Sequence, residues 1–211
     1  ELVLPCGLRK GKRINIKKKE AVNNDLSNKP NILLIQDLEG DTLWQIYKKR
    51  IKEKLTQGKA VIFLVPEVEI IKNVTEKLKE EFNEEIVLFH SKQRDSLNIL
   101  SWQKAKNGEA KIAIGTRMAV FLPFSNLGLI IMENENNPSY KEEQSPYYHT
   151  RTVAMMRVKL EGIDFIMADI SPSLESLYLA KNKKIEYLFL PKKDFPRITV
   201  LDIKKEPYSK R

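Results

Sequence analysis

From Asn31 onward, short runs of β-branched and apolar residues alternate with longer stretches whose apolar residues recur at helical spacing. No other feature constrains the fold as much. Candidate strands fall at residues 32–35, 60–65, 86–89, 111–114, 127–132, 163–167 and 187–190. They are short and dominated by Ile, Val, Leu and Phe, which suits strands covered on both faces. Between them, residues 42–55 bring Leu43, Ile46, Tyr47, Ile51 and Leu55 onto one helical face, and residues 67–82, 97–106 and 148–160 are patterned similarly. Strands that alternate with helices predict βαβ units, hence an α/β domain with a mostly parallel sheet flanked by helices. Residues 134–146, interrupted by Pro138 and Pro146, read as a polar loop or short helix, and residues 191–196 close the regular part. In such sheets ligands sit at the carboxyl ends of the strands.

The length, 211 residues, suits one full α/β domain, or one domain with a short appendage, better than two equal domains. An apolar fraction of 42% with 31% charged residues is globular, and no apolar run approaches the roughly 18 residues of a membrane span. No membrane association is therefore expected. The single cysteine, Cys6, excludes an intrachain disulfide and fits a cytoplasmic location. The chain starts at Glu1 without a methionine, as a piece of a longer protein would.

The formal net charge of +9 points to a polyanionic partner, and its distribution is uneven. Residues 1–29 hold eight basic side chains, Arg9, Lys10, Lys12 and Arg13 among them, against three acidic ones. This stretch reads either as a basic arm for nucleic acid or as a solvated lysine-rich segment, and composition does not separate the two. The expected organisation is an arm, or the end of a preceding domain, at residues 1–29, an α/β lobe at 30–190 and an extension at 191–211.

The segment IGTRMAVFLPFSNLGLIIMENENNPSYKEE, residues 114–143, is similar to the stretch IGTR, FxPF, NLGLIIxDEEHxxSYK of the PriA family of primosomal replication-restart helicases. Further matches stand in the same order: LVPE at 64–67, FHS at 89–91, WQKAKNGEAKI from Trp102, YHTR at 148–151 and SPSLES at 171–176. The resemblance covers about residues 14–203 and corresponds to the first of that family's two motor lobes. It implies a RecA-like fold of the P-loop type, ATP and Mg²⁺ as cofactors, and a role at branched or forked DNA with primosome proteins as partners. The second lobe and the family's zinc cysteines are absent from these residues.

The departures from the family pattern fall on the chemistry. A GxxGxGKT loop holds phosphates with backbone N–H groups and a Lys, and holds Mg²⁺ with a hydroxyl. The aligned residues here are Asp37, Leu38, Glu39, Gly40, Asp41, Thr42, Leu43 and Trp44. Leu43 replaces the Lys, Trp44 replaces the hydroxyl, and three carboxylates stand where phosphates would lie. The DEEH motif reads Glu133, Asn134, Glu135 and Asn136, so an amide replaces the residue expected to activate water. Neither ATP nor Mg²⁺ is expected to bind, and no catalytic residue is assigned. The emptied site is expected to be closed by protein, with Leu43 and Trp44 packed at the start of the helix from Thr42.

Thr116 and Arg117 occupy a motif that contacts the nucleic-acid backbone in related helicases, where an Arg supplies a charge-assisted phosphate bond. The competing reading is that Thr116 caps a short helix and Arg117 pairs with a nearby carboxylate. Trp44, Trp102 and Tyr148 are candidate stacking platforms for bases, with core packing favoured for Trp102. His90 is read as structural, whereas His149 and Arg151 could face the nucleotide pocket or DNA. Three functional readings stand at this point: an ATPase-deficient DNA-binding lobe acting in replication restart, a residual ATP-binding helicase that needs a second lobe, and a purely structural or protein-interaction lobe.

Overall fold

The computed structural model describes residues 31–38 and 41–191. The basic arm with Arg9, Lys10, Lys12 and Arg13, Gly40, the side chain of Asp41 and the extension after Pro191 lie outside that range.

The elements follow one another as β1 (Ile32–Asp37), α1 (Asp41–Thr56), β2 (Ala60–Leu64), α2 (Val68–Glu81), β3 (Ile86–Phe89), α3 (Asp95–Asn107), β4 (Ile112–Gly115) and β5 (Leu127–Glu133). A two-stranded ribbon comes next, β6 (Lys141–Glu142) with β7 (Tyr148–His149), then α4 (Thr150–Glu161), β8 (Asp164–Asp169), α5 (Leu174–Lys181) and β9 (Glu186–Leu190). The seven long strands form one sheet in the order β3-β4-β2-β5-β8-β1-β9, and every pairing in it is parallel. This is the parallel α/β arrangement that the alternating pattern predicts, of the RecA-like kind that the resemblance implies.

The strands are nearly continuous apolar runs because both faces of the sheet are covered. One face carries Leu34, Ile62, Ile130, Phe165 and Met167 in a core with Ala105 of α3 and Ala154 and Val158 of α4. The other carries Ile35, Phe63, Ile114, Ile131 and Ile166 against Tyr47 and Ile51 of α1 and Ile71, Val74 and Leu78 of α2. The helical residues in this second core recur three or four positions apart, the spacing that keeps one helix face on the sheet. Gly108 and Gly162 end α3 and α4 in the left-handed conformation that glycine adopts without a Cβ clash.

Two local features differ from the sequence-based expectation. The polar stretch after β5 contains a 3-10 turn, Pro138–Tyr140, and then the β6–β7 ribbon, so 148–149 is strand and α4 starts at Thr150. Helix α5 was not expected. Its signal was local: Ser173 caps it by accepting from the Ser176 N–H, and Glu175 stands in its first turn.

Candidate functional site

The carboxyl ends of β1, β5 and β8 are neighbours in the sheet, and they bring Asp37, Glu133 and Asp169 to one pocket of about 220 Å³. Leu38, Leu43, Asn134, Ala168 and Ile170 complete its lining. Among the described residues the lining has three carboxylates and no cation. Burial pushes the Glu133 carboxyl above the usual carboxylate range, and the charge of Lys77 opposes that shift. Such a lining does not fit a magnesium nucleotide. A phosphate chain here would meet three carboxylates, and the apolar Leu43 stands where the family pattern has a Lys.

The pocket is nonetheless open, so the expected closure by Leu43 and Trp44 does not occur. Leu43 lines it, but Trp44 turns away and packs on Tyr47 and Phe63 at centroid distances of 6.2 and 6.3 Å, with the Lys77 ammonium 5.2 Å from its ring centre. An aromatic side chain at this place is drawn to the apolar surface between α1 and the sheet rather than to a pocket of carboxylates. Thr42 is exposed and is not part of the lining.

Two of the four residues at the DEEH position also leave the pocket. Glu135 is fully buried and faces the other way, where Arg151 Nη1 donates to Glu135 Oε2 and to Ser173 Oγ. The Ser173 N–H donates to Glu135 Oε1 at 2.6 Å, so the buried charge is paired and hydrogen-bonded. Arg151 is therefore taken up by a buried pair and does not line the pocket. Asn136 ties the loop to the end of β8, through its N–H to Asp169 Oδ2 at 3.0 Å and its Nδ2 to the Ser171 carbonyl at 3.1 Å. Asn134 stays at the rim in the left-handed region, φ 51°, which Asn tolerates better than most residues. His149 caps α4 by accepting from the Arg151 N–H.

The ends of β3, β4 and β2 form a different surface. Gly115, the last residue of β4, lies beside Phe89 of β3 and Leu64 of β2. A Cβ at Gly115 would stand 2.1 Å from the Phe89 carbonyl oxygen and 2.6 Å from Ala119 Cβ. Close packing thus accounts for the glycine of the IGTR segment. Lys92 and Arg94 follow β3, and Arg117 follows β4, so these cations come after the carboxyl ends of two neighbouring parallel strands.

Thr116 is buried and precedes the 3-10 helix Arg117–Phe121, making no side-chain capping bond. Arg117 Nε donates to Glu142 Oε2 at 2.9 Å, and its Nη1 to the Ser139 carbonyl at 3.3 Å. The candidate stacking rings are in use. Tyr148 packs edge-on against Phe121 at 5.0 Å, and Trp102 packs against the core with Lys106 over its ring. Burial lowers the pKa of His90, whose carbonyl accepts from Asn98, in keeping with a structural role.

No family model matches the chain. It is 37% identical to Replication restart protein PriA of Haemophilus influenzae over 163 residues, 77% of this chain and 22% of that protein. It is 39% identical to the protein of the same name from Chlamydia pneumoniae over 144 residues, 68% of this chain and 19% of that protein. The Bacillus subtilis protein of that name is 29% identical over 184 residues, 85% of this chain and 23% of the relative. The chain thus spans about a fifth of the length of these curated relatives. Among solved structures it resembles RecG bound to a three-way DNA junction, with a TM-score of 0.53 at 19% identity over 77% of this chain and 21% of that one. It also resembles the C-terminal domain of the DEAD-box protein Dbp5, with a TM-score of 0.53 at 14% identity over 79% of this chain and 93% of that one. Identities this low speak for the helicase fold alone.

Proposed function

The chain belongs to the PriA family of replication restart proteins as a stretch of about a fifth of their length, and from that premise we propose that it is a DNA-binding, ATPase-deficient lobe serving primosome assembly. It is the first of two RecA-like motor lobes, with its lobe proper at 30–190 between a basic arm and an extension toward the second lobe. The observation that carries the reading is the pocket at β1, β5 and β8, in which Asp37, Glu133 and Asp169 surround the place of the phosphates and Leu43 stands for the Lys. Phosphoryl transfer needs cationic stabilisation of the transferring group and a residue that orients the nucleophile. Leu43 and Asn134 offer neither. What remains is a rigid scaffold with basic side chains at the other end of its edge, suited to holding branched or forked DNA while primosome proteins assemble. Thr116, Arg117 and the arm residues Arg9, Lys10, Lys12 and Arg13 are the proposed contacts.

Titration of the purified chain with forked DNA across a salt series, with phosphate release from Mg-ATP measured alongside, tests this. Binding that weakens linearly on a log–log salt plot without ATP hydrolysis is the expected result. DNA-stimulated phosphate release overturns the ATPase-deficient assignment and favours a residual motor, a reading to which the open pocket lends support. Salt-independent or absent DNA binding favours a structural lobe, a reading supported by the pairing of Arg117 with Glu142.

A further inference from the structure

Arg117 has five N–H donors, and two are engaged inside the chain, by the Glu142 carboxylate and the Ser139 carbonyl. The pair is half-buried, with side-chain exposures of 37% for Arg117 and 18% for Glu142. That distinguishes it from Lys92–Glu69, whose side chains are 65% and 66% exposed and whose attraction water largely screens. The second oxygen of Glu142 accepts from the Gln144 N–H at 3.1 Å, which orients the carboxylate toward the guanidinium.

The element that carries Glu142 is small. Strands β6 and β7 pair through only Lys141 with His149 and Glu142 with Tyr148. Both stems of the ribbon are fixed: Tyr140 is buried with its hydroxyl on the Glu133 carbonyl, and Thr150 Oγ1 donates to the Tyr140 carbonyl. Its tip is exposed, with Tyr147 facing solvent. The ribbon is short, so releasing this carboxylate requires only a local shift of β6 and β7 between the fixed Tyr140 and Thr150.

A carboxylate and a phosphodiester present the same thing to a guanidinium, a single negative charge shared by two neighbouring acceptor oxygens. We infer that Glu142 is an intramolecular phosphate surrogate, which occupies Arg117 in the DNA-free chain and yields it to the backbone of single-stranded DNA when the β6–β7 ribbon shifts. The inference rests on the assignment of Arg117 as a DNA contact. It adds a residue that sets the affinity of that contact and explains why an Arg placed for phosphate is found on a carboxylate.

The test is fluorescence anisotropy of a fluorescein-labelled oligothymidine with the full chain, its Glu142→Gln and Arg117→Ala variants and the double variant, across a salt series. Gln keeps the shape of Glu142 but removes the charge. The expected result is several-fold tighter binding by Glu142→Gln, a log–log salt slope steeper by up to about 0.7, and a double variant indistinguishable from Arg117→Ala. Affinity and slope of Glu142→Gln equal to or below those of the unaltered chain overturn the inference. The ¹⁵N-labelled Arg117 Nε–H signal of the unaltered chain, assigned by its loss in Arg117→Lys, is an independent reading. It should shift on addition of oligothymidine, and a signal unmoved at saturation overturns the inference even if Glu142→Gln does not fold. If no form binds the oligonucleotide, the DNA reading itself has failed and the surrogate falls with it. If the unaltered chain binds with an Arg117-dependent slope while Glu142→Gln matches it, the surrogate alone is wrong.

Discussion

The two halves of the sheet's carboxyl edge have parted company. Over β1, β5 and β8 the strand ends converge on Asp37, Glu133 and Asp169: Leu43 lines the pocket, Trp44 packs under α1, and Glu135 is locked to Arg151. Over β3, β4 and β2 the edge keeps Thr116 and Arg117 directly after β4, and Gly115 is held in place by the packing of β3. The difference teaches that Glu135 and Gly115 are held by their neighbours, one by a buried charge partner and the other by close backbone packing, whereas Leu43 and Asn134 face an open pocket.

The largest effect should come from Glu135→Ala, which leaves Arg151 buried without its carboxylate and should cost about 3–5 kcal/mol of stability in urea denaturation. A loss below about 1 kcal/mol would mean that the buried pair contributes little and that Glu135 is free for another task. Next comes Gly115→Ala, expected to cost about 1–3 kcal/mol because the added methyl meets the Phe89 carbonyl, which is backbone and cannot turn aside. A neutral outcome would detach the glycine from packing and return it to function. Arg117→Ala should lower the melting temperature modestly, because the half-buried Glu142 loses its partner, and should lower the slope of DNA affinity against salt by about one unit, since one phosphate contact is lost. Leu43→Lys should produce no ATP hydrolysis, because Asn134 still stands at the place of the activating residue; recovered turnover would erase the contrast between the two halves.

The smallest effect is one of pH. Burial raises the Glu133 pKa, so between its unfolded and folded values the folded chain binds more protons than the unfolded one. Stability contributed by this group is therefore present at low pH and lost as pH rises through the raised value. Glu133→Gln should flatten that decline and give a slightly higher melting temperature at neutral pH. An unchanged profile would mean that the carboxyl is solvated in the pocket.

Much of this was legible in the residues. The strands predicted at 86–89 and 187–190 match β3 and most of β9, and residues 42–55 lie within α1, because a run covered on both faces and a helix with one covered face carry their burial in their own periodicity. The place of Leu43 at the start of α1 was equally plain, and the structure sets it in the lining of the pocket. What escaped were pairings that no local pattern encodes. Arg151 looked free to reach a pocket or DNA and instead neutralises Glu135, and Trp44 looked like a plug but finds Phe63 a better neighbour than three carboxylates.

The sequence by itself determined the α/β class and the positions of most strands, since both are written in residue type and spacing along a single segment. Only the tertiary structure decided which carboxylates share a pocket, that the pocket stays open, and that Arg117 rests on Glu142. Those outcomes depend on strand order and on how loops from distant segments close over the sheet's edge. They are fixed by long-range packing and by the need of each buried charge for a partner, and neither has a period that a sequence displays.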